Sequence, residues 1–363
     1  MELDPGFLPR GGLSVPVLTA LDASGGLDEA SQRRLLRHVL SGGSGADIVF
    51  AGGTTGEAMA LSDGVRRALL ECCVDEMRGM ETGPSRRAEL WAGVTSRDEA
   101  GTLALLGHAV KAGADAVVIA PLSIAGLEGE GLLRFFRRGV REVLEASGRM
   151  IPVFLYDNAD IAADPRVPHL RTATVKQLSR LGFVRGVKVS APMPVLGNYA
   201  KAARHFHARG AFGIYVGNAR LVFEIFDTDK GPFRRHMDRF LLNASLPVGV
   251  VAGQANLFPR EWQDAWRVSV GGDDEEASRY RVAFEKLSQA CRPAGGPRAL
   301  ACLKRALHQG GILASASLAP GTPTLSSSDA EAFDLGLAGV KRLLASSPAR
   351  WRTPWPEPEK VIA

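Results

Sequence analysis

The chain has 363 residues, of which 45% are hydrophobic and 23% charged, with a formal net charge of +5; this excludes a disordered polymer and leaves room for one α/β barrel with appendages or two smaller domains. No stretch has the length and apolarity of a membrane span, and the start, Met1-Glu-Leu-Asp-Pro-Gly6, lacks the basic and apolar regions of a secretory signal, so a cytoplasmic protein is expected. The arginines fall mostly in scattered pairs such as Arg33-Arg34 and Arg137-Arg138, on segments that also carry acids and no interleaved aromatics, which argues for solvated helix faces and against a nucleic-acid partner.

In chain order, short apolar runs bounded by Gly or Pro predict strands at Leu13 to Leu21, Asp47 to Ala51, Leu90 to Val94, Ala116 to Ala120, Pro152 to Tyr156, Gly186 to Ser190, Phe212 to Val216 and Pro247 to Ala252. Between them, amphipathic patterns predict helices at Asp28 to Ser41, Ser62 to Arg78, Arg97 to Ala112, Glu130 to Ser147, Thr174 to Leu181, Val195 to Ala208 and Gly231 to Leu242. Ser62 is a suitable helix start, and Gly113, Gly148 and Gly210 follow helix ends where a left-handed residue is wanted. Strict alternation predicts a (β/α)8 TIM barrel over residues 12–260, with an open doubly wound sheet as the alternative. Further helical patterns at Glu261 to Val268, Asp274 to Cys291, Pro297 to Gln309 and Ser328 to Leu344 predict a C-terminal helical appendage over 261–344. Residues 345–363, with Trp351 and Trp355 among four prolines, read as an extended tail, docked or frayed.

Metal chemistry finds no support. The four cysteines show no C-x-x-C spacing, and His205 and His207 lie two apart on a predicted helix, so their side chains diverge. Lys188 draws more attention, because it sits inside the apolar run Phe183-Val-Arg-Gly-Val-Lys-Val-Ser190 in a chain with only nine lysines. Burial of an amine favours the neutral, nucleophilic form that imine chemistry uses. The competing reading is a strand-end lysine that snorkels to solvent. Tyr156, likewise, is either a reacting phenol or an aromatic packed on a barrel rim.

On a barrel, sites collect just past the strand ends. After the second strand comes Ala51-Gly-Gly-Thr-Thr-Gly-Glu57, where glycines let backbone N–H groups approach an anion and two hydroxyls add donors. That turn, Tyr156, Gly186-Val-Lys-Val-Ser190 and Gly249-Val-Val-Ala-Gly-Gln-Ala-Asn-Leu-Phe-Pro259 together resemble the dihydrodipicolinate synthase and N-acetylneuraminate lyase family, in matching order from about Gly12 to Leu344. The resemblance implies a Schiff-base lyase or aldolase. Lys188 would form an imine with pyruvate or another 2-oxo acid, Tyr156 would shuttle protons, and Thr54, Thr55 and Gly53 would hold the carboxylate. It implies no metal and no organic cofactor, and a homo-oligomer, dimer or tetramer.

Departures from the family pattern narrow the substrate. Ala120-Pro-Leu-Ser-Ile124 puts Ser123 near the place of the tyrosine that crosses a subunit interface in the synthase, and Tyr156-Asp-Asn-Ala-Asp-Ile161 lacks the arginine used there for the aldehyde's carboxylate, although Arg166 or Arg171 could reach in. Aspartate semialdehyde is therefore a poor first expectation, and what remains fits another 2-oxo acid, for example a 2-oxo-3-deoxy sugar acid, with Asp157, Asn158, Ser190, Asn218, Gln254 and the strand-eight Val251 as substrate-binding candidates. Aldol cleavage, condensation with an aldehyde and dehydration are all compatible. Two other classes stay open: a barrel that binds a 2-oxo acid without turnover, and a flavin or phosphate-substrate barrel cradling phosphate at Gly52–Gly56 or Gly249–Gly253.

Overall fold

Each of the eight predicted apolar runs forms a strand: β1 (Gly12–Pro16), β2 (Ile48–Ala51), β3 (Glu89–Gly93), β4 (Ala116–Ile119), β5 (Val153–Asn158), β6 (Val184–Ser190), β7 (Gly213–Val216) and β8 (Gly249–Val251). They follow one another around a closed barrel in sequence order, so the chain is a (β/α)8 TIM barrel. The helices are α1 (Glu29–Leu40), α2 (Asp63–Gly79), α3 (Glu99–Ala112), α4 (Gly129–Arg134), α5 (Arg141–Ala146), α6 (Thr172–Ser179), α7 (Met193–Ala203) and α8 (Val222–Ile225). The C-terminal appendage supplies α9 (Pro259–Gly271), α10 (Asp274–Ala290), α11 (Ala299–Gln309) and α12 (Ser327–Ser346). The computed structural model describes residues 2–4, 6–80, 88–203, 206, 211–226, 247–292 and 298–346. The predicted helix Gly231 to Leu242, Gly210, His205, His207 and the two tail tryptophans lie outside the described residues. Among the described residues no helix is long and apolar enough to cross a membrane.

Local chemistry explains the helix ends and two departures. Ser62 accepts a hydrogen bond from the Val65 N–H, and Gly113 closes α3 at φ 108°, as the sequence predicts. The predicted first strand runs to Leu21, yet β1 stops at Pro16, which has no N–H for a ladder. Beyond it the Leu18 N–H turns to Asn256 Oδ1 and the Ala20 N–H to Gln32 Oε1. The predicted single helix from Glu130 to Ser147 is interrupted by a π turn at Phe135–Val140 between α4 and α5.

Residue contacts divide the chain into two compact units, one of Met1–Ser14, Glu89–Leu221 and Lys230–Val251, the other of Val15–Ala88, Val222–Asp229 and Ala252–Ala363. In the first, Trp91 on β3 stacks on Phe154 of β5 at 4.0 Å and meets the edge of Tyr215 on β7 at 4.9 Å. Aromatics from alternate strands thus form one interior layer, the arrangement expected of this barrel. The even strands make room with glycine. A Cβ built on Gly186 would fall 2.5 Å from the Gly213 carbonyl oxygen and 2.7 Å from the Phe154 ring, and one on Gly249 would fall 2.8 Å from the Tyr215 ring. Gly186→Ala is therefore expected to destabilise the fold by about 1–3 kcal/mol, read as a lower urea midpoint; an unchanged midpoint would show that the layer yields freely.

In the second unit, Trp262 of α9 is fully buried and stacks on Phe284 of α10 at 4.2 Å, while Arg305 of α11 forks onto Asp334 of α12 at 3.0 and 2.7 Å. Asn256, also fully buried, donates to the carbonyls of Pro16 and Gly253, each at 2.9 Å, and takes the Leu18 N–H, so it joins the chain after β8 to the chain after β1. Burial pushes the His38 imidazole down to about 4 from an ordinary value of 6.5, against opposing hydrogen bonds with the backbone at Leu257 and Asn256. The folded state then binds fewer protons than the unfolded state between these two values. Stability contributed by the neutral ring is complete above pH 6.5 and falls as pH drops toward 4. Urea midpoints at pH 7.5 and pH 5 are expected to differ less in His38→Gln than in the parent; an equal difference would acquit His38.

Candidate active site

β5 and β6 run parallel with Tyr156 opposite Lys188 and Asn158 opposite Ser190. Side chains alternate along a strand, so these four share the face that carries Phe154 into the barrel interior. Lys188 and Tyr156 are each 5% exposed, so Lys188 does not snorkel to solvent. Lys188 Nζ stands 3.7 Å from the centre of the Tyr156 ring. The Tyr156 hydroxyl oxygen accepts from Asn158 Nδ2 at 3.0 Å and from Ser190 Oγ at 3.3 Å, and these two donors orient the phenol. Ser190 in turn owes its place to Gly217, where a Cβ would fall 2.1 Å from its Oγ. Lysine, tyrosine, serine and asparagine are thus gathered within one pair of strands.

The same alternation removes Asp157 from the predicted substrate-binding set. It faces the opposite side and is fully buried, where its carboxylate meets the Tyr199 hydroxyl of α7 at 2.7 Å and His169 Nδ1 at 3.2 Å. Burial raises the Asp157 pKa against the opposing pull of these partners. The Tyr199 hydroxyl also lies 2.6 Å from the Leu170 carbonyl oxygen. One hydroxyl proton cannot serve two acceptors, and a proton on Asp157 would satisfy both contacts.

In the other unit, the turn after β2 is closed by its own backbone. Gly56 N–H bonds to the Gly53 carbonyl at 3.0 Å and Glu57 N–H to the Thr54 carbonyl at 3.0 Å, while Thr19 Oγ1 donates to the Gly56 carbonyl at 2.6 Å. Gly52 takes a left-handed φ of 72°, and a Cβ on Gly53 would fall 2.8 Å from the Phe50 ring. Thr54 and Thr55 are partly exposed on this turn. Among the described residues nothing bonds the Thr55 hydroxyl or N–H. Glu57 is buried and paired with Lys304 of α11. Lys304 was not among the sequence candidates, although a legible signal exists: it occupies the apolar stripe of α11 with Leu300, Leu303 and Leu307.

Other candidates fare differently. Val251 ends β8 on the inward face it shares with Gly249, 3% exposed. Asn218 is exposed after β7, its carbonyl accepting from the Leu221 N–H. Gln254 donates from Nε2 to Ser288 Oγ of α10 at 2.8 Å, while its Oε1 is buried with no hydrogen-bond partner among the described residues. Arg166 is 88% exposed and forked onto Asp164 at 2.8–3.1 Å. Arg171 is exposed at the start of α6, and Ser123 ends the short turn after β4.

The pattern that defines the Dihydrodipicolinate synthetase family matches residues 9–226. The 4-hydroxy-tetrahydrodipicolinate synthase of Nitrobacter hamburgensis is 31% identical over 187 residues, 52% of this chain and 55% of that protein, so the match spans about half the length of this curated relative. Among solved structures, dihydrodipicolinate synthase of Bacteroides thetaiotaomicron superposes with a TM-score of 0.75 at 22% identity, covering 92% of this chain and 99% of the other. The prophage protein YagE of E. coli K12, solved in complex with pyruvate, gives 0.74 at 20% identity, covering 91% and 98%.

Proposed function

The chain belongs to the dihydrodipicolinate synthetase family, and from that premise we propose that it is a class I aldolase or lyase in which Lys188 forms an imine with pyruvate or another 2-oxo acid. The observation that carries this reading is an amine at 5% exposure held against a tyrosine ring in the barrel interior. The amine adds to the C2 carbonyl and water leaves. The protonated imine is cationic, and the Tyr156 ring face beneath it favours that charge. It then serves as an electron sink. In the cleavage direction the C3–C4 bond breaks, its electron pair enters the imine to give an enamine, and the C4 hydroxyl proton passes to a base as the aldehyde departs. Tyr156 is the proton carrier, oriented by Asn158 and Ser190. Protonation at C3 and hydrolysis of the imine return the free lysine and release pyruvate. The threonines of the β2 turn are the carboxylate holders in this reading, and a homo-oligomer is part of it.

A 2-oxo-3-deoxy sugar acid suits the residues better than aspartate semialdehyde. Arg166, the nearest arginine after β5, is spent on Asp164 at the surface, and Ser123 stands where a synthase tyrosine is expected. The assay is pyruvate release from a panel of 2-oxo-3-deoxy sugar acids, followed with lactate dehydrogenase, beside condensation of pyruvate with aspartate semialdehyde. Release from a sugar acid at a higher kcat/KM than the condensation is the expected result. Faster condensation overturns the substrate assignment, and loss of water from the sugar acid without pyruvate release identifies a dehydratase.

A further inference from the structure

Lys304 is a second lysine held out of water, its side chain 1% exposed, and it pairs with Glu57, whose side chain is also 1% exposed. Its ammonium donates to the Ser317 carbonyl at 2.7 Å, and the second Glu57 oxygen takes the Ala319 N–H at 2.8 Å. The stretch after α11, a plain linker by composition, is tied down further where Arg34 Nε meets the Ile312 carbonyl at 3.0 Å and Ser31 Oγ takes the Ala314 N–H at 2.9 Å. A buried ion pair is weak evidence for stability, because apolar side chains of the same size fill such a space without the cost of desolvation. What the pair provides is direction. Glu57 is one of two non-glycine residues with positive φ among the described residues, at 57°, a backbone state that persists only where surroundings enforce it. Its N–H closes the turn onto Thr54, and its side chain is the anchored end.

We propose that Lys304 and Glu57 are positioning residues for the β2 turn: the pair holds Glu57 in its left-handed state and thereby aims the N–H and hydroxyl groups of Thr54 and Thr55, setting affinity for the carboxylate of a 2-oxo acid. The inference rests on the reading of that turn as the carboxylate holder. Neither side chain takes part in the proton transfers. Burial lowers the Lys304 pKa, but the adjacent Glu57 carboxylate opposes that shift.

The experiment titrates parent, Lys304→Met, Lys304→Arg and Glu57→Gln with pyruvate. Three readouts are the concentration giving half-maximal borohydride trapping at Lys188, the adduct yield at saturation, and the calorimetric Kd. In Lys304→Met both concentrations are expected to rise about tenfold or more, with saturating yield within about twofold, because the catalytic groups on β5 and β6 are untouched. Lys304→Arg, which keeps the charge, should restore much of the affinity. A lower unfolding midpoint with unchanged half-saturation and Kd would make the pair merely structural and overturn the proposal. Should Lys304→Met fail to fold, Glu57→Gln decides: it keeps the side-chain shape and an acceptor for Ala319, and unchanged pyruvate affinity overturns the proposal. A parent that binds pyruvate without trapping it overturns the imine reading and leaves this comparison to the calorimetric Kd. A parent that neither binds nor traps pyruvate overturns both.

Discussion

Lys188→Ala is expected to abolish reductive trapping of pyruvate and to lower turnover by about 10⁴-fold or more, the scale of losing a covalent nucleophile. The expectation is sharp because the other deeply buried lysine among the described residues, Lys304, is paired with Glu57 and donates to Ser317, so its amine is not available as a substitute nucleophile. Lys188→Arg should be equally inactive, since a guanidinium stays protonated and cannot add to a carbonyl. Both variants are to be measured by steady-state pyruvate release and by mass spectrometry after borohydride treatment. Turnover within tenfold of the parent in either variant would remove the imine from the mechanism.

Tyr156→Phe separates proton transfer from imine formation. The ring remains beside Lys188 Nζ, while the hydroxyl that Asn158 and Ser190 hold is lost. Turnover is expected to fall by about 10²–10⁴-fold, the range for a positioned acid-base group. The borohydride adduct on Lys188 should still form at saturating pyruvate, more slowly. Comparison of kcat with adduct yield is the test. A parallel loss of both would make Tyr156 part of imine formation alone, and turnover within about twofold would assign the proton transfers to another group.

The barrel was legible because eight short apolar runs recur between amphipathic stretches, a pattern few other folds accept. Its errors have local causes. Val17 to Leu21 continue the apolar run of β1, but their backbone partners include Asn256 and Gln32, side chains whose proximity no local pattern reveals. Lys188 and Tyr156 stood out as polar groups within apolar strands, and the register confirms that they face each other. Asp157 was misread for want of the same alternation: a residue one step from Tyr156 must point the other way. Gln254 looked available at a strand end, and α10 takes the N–H side of its amide. The Glu57–Lys304 pair needed the tertiary structure, since α11 meets the β2 turn only once the chain has folded. The lysine on its apolar stripe was nevertheless a visible anomaly.

The most direct test of the central claim is intact-protein mass spectrometry with peptide mapping after incubation with pyruvate and borohydride. A single reduced-pyruvate adduct, located on Lys188 and absent from Lys188→Ala, is the predicted result. An adduct on any other lysine, or none in a folded protein that binds pyruvate, would contradict the assignment of Lys188 as the imine-forming residue.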